Sequence, residues 1–362
     1  MMRVLIAAGG TGGHIYPGIA VAQEIMRRDK ESKVRFVGTR GKLEEKLIPN
    51  AGFELSLVES AGLKNVGFAA QFRGLSLIPK TMLAARKIIK DFQPHVVVGA
   101  GGYVTGATLL AAWMSGVPTL VMDSNALPGW TNRRLAGICT RAAVAFEEAA
   151  PYFKGKAVVT GNPVRREFFE IPTARIDDGA FSVLIFGGSQ GARAINDAMI
   201  AALPHLENIR REHHLSITHQ TGTSDFERIK AGYENAGWTD TDVRPYLDDM
   251  VAHFAKADLV ISRAGATTSA ELVAAGRAAI MIPFPLAADD HQRKNAEALA
   301  RGGAVRMILQ ADLTGETLAR EITELARAPH TIHQMETSAR RMSHPDAAEL
   351  TVNLLEGMKT KA

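Results

Sequence analysis

Cysteine is almost absent from this chain: Cys139 is the single one in 362 residues. One thiol excludes a disulfide framework and any cysteine-built zinc site, and it fits a reducing compartment. Long apolar runs are missing as well. No stretch approaches the roughly 18 apolar residues that a spanning helix needs, so attachment to a membrane would be peripheral. Met1-Met2-Arg3-Val4 runs straight into a strand and a glycine loop, which leaves no room for a secretion signal and predicts a cytoplasmic or membrane-peripheral protein. Low-complexity tracts do not occur, and the eleven histidines lack the spacing of zinc proteases. His213-His214 reads as a solvated helix end.

Acids are missing from one place in particular. Residues 60–90 hold six bases (Lys64, Arg73, Lys80, Arg86, Lys87 and Lys90) and no Asp or Glu. Leu63, Phe68, Phe72, Leu75, Leu77, Ile78, Met82 and Leu83 are interleaved with them. Basic and bulky apolar residues mixed in this way suit an anionic lipid surface or a helix with one buried and one solvated face, and the missing acids favour the anionic membrane surface as partner of segment 60–90. No nucleic-acid motif accompanies the patch, so nucleic acid is not expected as a partner. The asymmetry extends to the halves: residues 1–163 carry 20 Lys and Arg against 11 Asp and Glu, whereas the remainder carries 22 against 27.

What is abundant is glycine, and its placement is informative. Gly9-Gly10-Thr11-Gly12-Gly13-His14 follows the apolar run Val4–Ala8, and Gly187-Gly188-Ser189-Gln190-Gly191-Ala192 follows Val183–Phe186. A strand that ends in glycines and feeds a helix presents backbone N–H groups with the positive end of the helix dipole behind them, a seat for a diphosphate. Strand and helix patterns alternate through both halves, with strands at Val34–Gly38, Phe53–Val58, His95–Val98, Pro118–Met122, Leu215–His219, Val243–Tyr246, Leu259–Ser262 and Ala279–Ile282. The chain is long enough for two domains. The fold class expected is therefore α/β, two Rossmann-like doubly wound parallel-sheet domains facing across a cleft. The boundaries fall at 1–163 and 164–345, with 171–179 as linker and a terminal helix at 346–362 returning to the first domain.

Candidate chemistry gathers at the strand ends. Gly9–His14 lacks the G-x-G-x-x-G spacing, and Glu44 and Glu45 lie too far along, in a helical context, to hold a ribose after the second strand; this counts against an NAD enzyme. His14, at the mouth of a helix, is placed to act as a general base or to bind substrate. Ser262–Glu271 follows an apolar strand and opens a helix, so Ala266, Thr267, Thr268, Ser269 and Ala270 surround an anion-binding N-terminus, and Glu271 can accept the hydroxyls of a ribose. Residues 289–296, which include Gln292, form a polar loop before another helix. Asp240-Thr241-Asp242 imitates a metal-binding D-x-D but reads as a surface turn.

Taken together, Gly9–Gly18, Gly101-Gly102-Tyr103-Val104-Thr105-Gly106, Gly161-Asn162-Pro163-Val164-Arg165, Gly187–Ala192 and Arg263-Ala264-Gly265-Ala266 resemble, in order and over nearly the whole chain, the bacterial peptidoglycan glycosyltransferases that form lipid II. The resemblance implies a GT-B fold and an inverting, UDP-dependent hexosyltransferase that needs neither cofactor nor catalytic metal. It implies transfer of N-acetylglucosamine (GlcNAc) from UDP-GlcNAc to the C4 hydroxyl of the muramoyl sugar of lipid I, at the cytoplasmic face of the inner membrane, with cell-wall assembly proteins as candidate partners. By the same resemblance the second domain holds UDP, with Leu247 beside uracil, Ala266–Glu271 along the nucleotide, Glu271 on the ribose and Ser189 at the diphosphate. Gln292 and Asn125 would touch the donor sugar, Arg165 would lie at the cleft, and Thr11, Gly12 and Gly13 would complete the donor pocket and help seat the acceptor diphosphate. In one place the chain departs from the family: a usual His-Glu-Gln-Asn run is Met122-Asp123-Ser124-Asn125, which leaves His14 and Asp123 as alternative bases. The alternatives are transfer to another lipid such as diacylglycerol, or a nucleotide-sugar-binding protein without transferase activity.

Overall fold

Runs such as Val4-Leu5-Ile6 and Val96-Val97-Val98 have no polar side to turn toward water, and each becomes a central strand covered on both faces. The computed structural model describes residues 1–59, 68–172, 179–188, 190–287 and 290–358, with the backbone alone described at 68–78 and 103. The chain divides into two units, Met1–Arg165 with His344–Ala362, and Arg166–Ser343.

In the first unit the order is β1 (Arg3–Ala8), α1 (Gly12–Arg28), β2 (Lys33–Thr39), α2 (Glu44–Asn50), β3 (Glu54–Val58), α3 (Phe68–Phe92), β4 (Val96–Gly101), α4 (Tyr103–Met114), β5 (Thr119–Asp123), α5 (Trp130–Leu135), β6 (Arg141–Val144) and β7 (Ala157–Val159). Among the described residues the sheet has seven parallel strands in the order β3-β2-β1-β4-β5-β6-β7. Alternation along β1 sends Val4 and Ile6 into a core with Ile15, Ile19 and Ile25 of α1, and Leu5 and Ala7 into a second core with Leu109 and Ala112 of α4. The strand order reverses between β1 and β4, and the glycine loops after those two strands lie at that reversal, the usual ligand position of an open α/β sheet.

The second unit repeats the plan. Its elements are β8 (Ser182–Phe186), α6 (Arg193–Glu212), β9 (Ser216–Gln220), α7 (Phe226–Asn235), β10 (Asp242–Arg244), α8 (Met250–Lys256), β11 (Leu259–Ser262), α9 (Ala266–Ala275), β12 (Ala278–Met281), α10 (His291–Arg301), β13 (Val305–Met307), α11 (Gly315–Ala326) and α12 (Pro329–Arg341). Here, among the described residues, six parallel strands run β10-β9-β8-β11-β12-β13, and the reversal falls between β8 and β11. The loops that follow β8 and β11 are Gly187–Ala192 and Arg263–Gly265.

Two features place the ends of the first unit beyond the 163/164 and 345/346 divisions read from sequence. Arg165 stacks its guanidinium 4.6 Å from the ring centre of Tyr16 in α1, and Gly161 abuts the side chain of His344. The last helix, α13 (Ala347–Met358), buries Val352, Leu355 and Met358 in the core beneath α1. Arg28 of α1 fastens it by donating to Asn353 Oδ1 at 2.7 Å and Glu356 Oε2 at 3.1 Å. Of the expected linker, residues 173–178 lie outside the described residues. The carbonyls just before residue 173 are held within the second unit: Pro172 by Arg277 (3.1 Å), and Phe169 (3.1 Å) and Ile171 by Arg340.

Candidate functional site

In the first unit the glycine loop is built by close approach. A side chain on Gly102 would strike the carbonyl of Gly9, and one on Gly101 would strike the imidazole of His14; both glycines have positive φ. The β4 turn therefore packs directly on the β1 turn, with His14 half-buried in the first turn of α1. Thr105 staples the same region, its hydroxyl lying 2.8 Å from the Gly101 carbonyl and 3.2 Å from that of Ala7. Thr11 is the exposed residue before α1, and Gly12 and Gly13 begin the helix.

Beneath this loop lies a residue that the sequence reading set aside. Glu44 opens α2 and is fully buried. Its Oε1 accepts the N–H of Thr39 at 2.9 Å, and its Oε2 accepts that of Gly10 at 3.1 Å. Both of its oxygens are engaged by the backbone, and it props the loop. The signal available in sequence was an acid a few residues beyond the second strand; what the sequence could not convey was that Gly9 and Gly38 leave room for it.

At the end of β5, Asp123 is 4 % exposed. Its Oδ1 accepts the N–H of Asn125 (3.0 Å), and its Oδ2 accepts the N–H of Gly129 (3.1 Å) and the Asn132 amide (2.8 Å). Burial pushes this carboxyl above its ordinary range, and the three donors oppose that shift. The arrangement is that of a carboxylate shaping a turn: it fixes Asn125, half-buried, and the start of α5. Ser124 joins the turn to the 161–163 segment through Asn162 Oδ1 at 2.8 Å.

The second unit's loop rests on a different chemistry. Gly191 lies against the carbonyl of Thr221, and Gly222 against that of Gln190, so the β8 and β9 turns touch backbone to backbone. The Gly188 carbonyl accepts the N–H of Gly191 (2.9 Å) and the side-chain amide of Gln220 (2.9 Å). The oxygen of that amide accepts the N–H of Leu247 at 3.0 Å, and Leu247 is 1 % exposed. Ser189 lies outside the described residues. Below the loop, Asn196 donates to Thr221 O and Asp225 Oδ2, both at 3.0 Å, and this leaves its oxygen for His219 Nε2 at 3.1 Å. His219 Nε2 must then carry the proton, and Nδ1 accepts from Tyr233 at 3.0 Å. Burial holds this imidazole neutral, its pKa pushed down to about 3.

Helix α9 starts after Gly265, with Ala266, Thr267, Thr268 and Ala270 half-buried at its mouth and Ser269 and Glu271 buried. The buried Asn295 amide holds the loop by donating to Ala264 O at 3.1 Å. Arg263 spans to the next strand end: it donates to the carbonyls of Ile282 (3.1 Å) and Pro283 (3.2 Å) and to Gln310 (2.7 Å), and burial lowers its pKa to about 10. Gln292, half-buried in α10, accepts the N–H of Phe284 at 3.0 Å and so fixes the 283–285 turn. Asp240 and Asp242 pair with Arg210 (2.6 Å) and Arg244 (2.8 Å) at the surface, although Asp242 begins β10 rather than lying in a turn. Among the described residues no group of three or more His, Cys, Asp or Glu is placed to hold a metal ion.

Of the basic stretch, residues 60–67 and the side chains of 68–78 lie outside the described residues. Further along α3, Lys80, Arg86, Lys87 and Lys90 are exposed, as is Leu83 at 69 %. Trp113 and Met114, at the end of the neighbouring α4, are also more than half exposed, which the sequence reading did not single out. Among the described residues no helix is long and apolar enough to cross a membrane.

Two doubly wound units with glycine loops at their reversals define a class, and comparison with known proteins names it. Residues 4–144 match the glycosyltransferase family 28 N-terminal domain, and residues 182–351 match the family 28 C-terminal domain. The chain belongs to glycosyltransferase family 28. Its near relatives carry one name, UDP-N-acetylglucosamine--N-acetylmuramyl-(pentapeptide) pyrophosphoryl-undecaprenol N-acetylglucosamine transferase. That of Anaeromyxobacter sp. (strain K) is 46% identical over 350 residues, 96% of this chain and 91% of the relative. That of Citrifermentans bemidjiense is 43% identical over 358 residues, 98% of this chain and 99% of the relative. The crystal structure of Acinetobacter baumannii MurG is similar across 99% of this chain and 100% of its own, with 31% identity and a TM-score of 0.73.

Proposed function

We propose that the chain transfers GlcNAc from UDP-GlcNAc to the C4 hydroxyl of the muramoyl sugar of lipid I, with inversion, to form lipid II. Identity of 46% over 96% of the chain to relatives of that name carries the reading. The second unit takes UDP: the loops after β8 and β11 receive the diphosphate, Leu247 borders the uracil, and Glu271 meets the ribose. Gln292, its oxygen engaged by Phe284, directs its amide at the donor sugar. In the first unit His14 is the base. It removes the proton of the C4 hydroxyl as that oxygen bonds to C1 of GlcNAc and the bond from C1 to the UDP oxygen breaks. Asp123 positions Asn125, and Arg165 with Thr11–Gly13 assists the substrates. The departing diphosphate gains negative charge, which N–H groups at helix ends stabilise without a cation.

The acceptor is a lipid, and the exposed bases of α3, together with Leu83, Trp113 and Met114, fit an anionic membrane surface. We infer that this face docks at the cytoplasmic side of the inner membrane, with cell-wall assembly proteins as partners there.

One assay with several arms tests the reading. Turnover is expected with UDP-GlcNAc and lipid I, faster in anionic than in zwitterionic vesicles, and unchanged by EDTA. Acceptance of diacylglycerol in place of lipid I, or loss of activity in chelator, would overturn the acceptor or the metal-free mechanism respectively.

A further inference from the structure

Gln220 is nowhere among the residues that a nucleotide would touch, yet it connects them. It ends β9 and is 3 % exposed. Its amide nitrogen donates to Gly188 O and its amide oxygen accepts from Leu247 N, so one planar group joins the diphosphate loop to the backbone beside the base. Glutamine is the suitable residue type because its partners have opposite polarity. A glutamate would offer two acceptors and face the Gly188 carbonyl with the wrong charge, while an apolar residue would leave a buried carbonyl and a buried N–H unsatisfied.

We propose that Gln220 is a positioning residue for the nucleotide, setting the diphosphate loop and the base site in register with each other. This rests on the reading that the second unit binds UDP. Two consequences follow from the geometry. The Gly188 carbonyl, clamped by Gln220 and by the Gly191 N–H, cannot swing its partial negative charge toward an arriving phosphate. A shift of the Leu247 backbone as the base docks also passes through the amide to Gly188, so occupation of one subsite orders the other.

Calorimetry with UDP on the parent chain is the control: if the parent takes up no UDP, the functional reading fails and Gln220 is not at issue. With binding established, Gln220→Met, nearly isosteric, is expected to weaken UDP roughly tenfold to a hundredfold and to raise the donor KM in proportion, with kcat at saturating donor within about twofold of parent. Gln220→Glu should lose more than Gln220→Met. A purely structural role would lower the melting temperature and leave UDP affinity per folded molecule at the parent value, which would overturn the proposal. Amide hydrogen exchange on the parent gives a readout that needs no variant. Uridine, which has no phosphate, should slow exchange at Gln190–Ala192 as well as at Leu247; slowing at Leu247 alone also overturns the coupling.

Discussion

The two glycine loops read almost alike in sequence, and they stand on opposite chemistry. Under the first, a buried carboxylate, Glu44, accepts the Gly10 N–H. Under the second, a neutral amide, Gln220, donates to the Gly188 carbonyl, and a neutral imidazole lies deeper. A carboxylate about 6 Å from a bound phosphate would oppose it by about 3 kcal/mol per charge at an effective dielectric of 20. The acid in the second loop's support, Asp225, meets the loop only through Asn196 and is paired with Arg228 at 3.0 Å. A shared motif thus fixes the course of the backbone, while the residue beneath it decides what that backbone can hold. On the proposed reading the second loop takes the donor diphosphate, while the first, where Thr11–Gly13 assist the substrates, carries the His14 imidazole that takes the acceptor's proton.

The largest test of that division is His14→Ala, with His14→Gln as the variant that better refills the space against Gly101. Loss of a general base lowers kcat by about 10²- to 10⁴-fold. If the loops divide the work as described, both variants show that fall in single-turnover rate while UDP affinity by calorimetry stays within about twofold. A parallel loss of UDP affinity would break the comparison, because it would make His14 part of the nucleotide site.

Much of this was legible in the sequence. Apolar runs ending in glycines marked β1, β4 and β8, and strand–helix alternation gave two parallel sheets. The reversals fall where the loops were expected, since doubly wound sheets leave few other places for them. What stayed hidden were the side chains that act between segments. Glu44 was dismissed on spacing, because only the packed fold brings the start of α2 under Gly10. Asp123 entered as an alternative base only through the resemblance, and nothing in the local sequence told that its three donors come from the following turn and α5. Gln220 fell one residue past the expected end of its strand, and its partners belong to two other turns. Local pattern reports backbone path well, and it carries little about which buried polar atom meets which.

A smaller effect is expected at Glu44. In Glu44→Gln one acceptor oxygen becomes an NH₂, so either the Gly10 or the Thr39 N–H loses its partner and faces a donor. A buried donor left in that state costs about 1–3 kcal/mol. Urea titration should register that loss, with kcat reduced and UDP affinity unchanged. Wild-type stability in this variant would show that the carboxylate is not what holds the first loop.

The mildest test uses acid. Burial keeps the folded His219 pKa at about 3, against about 6.5 for a free imidazole. Between those values the unfolded chain takes up a proton that the folded chain refuses. Stability from this group is therefore complete above 6.5 and falls as pH drops toward 3, by about 1.4 kcal/mol per pH unit. The network it belongs to carries Thr221, and Thr221 lies against Gly191 of the loop, so the loss should appear in the second unit and weaken UDP as well. His219→Gln has no such titration, and subtracting its pH profile from the parent's isolates the histidine from every other group. A difference profile flat between pH 7 and 5 would mean that the imidazole accepts its proton in place, and the second loop would then rest on a charged support much as the first one does.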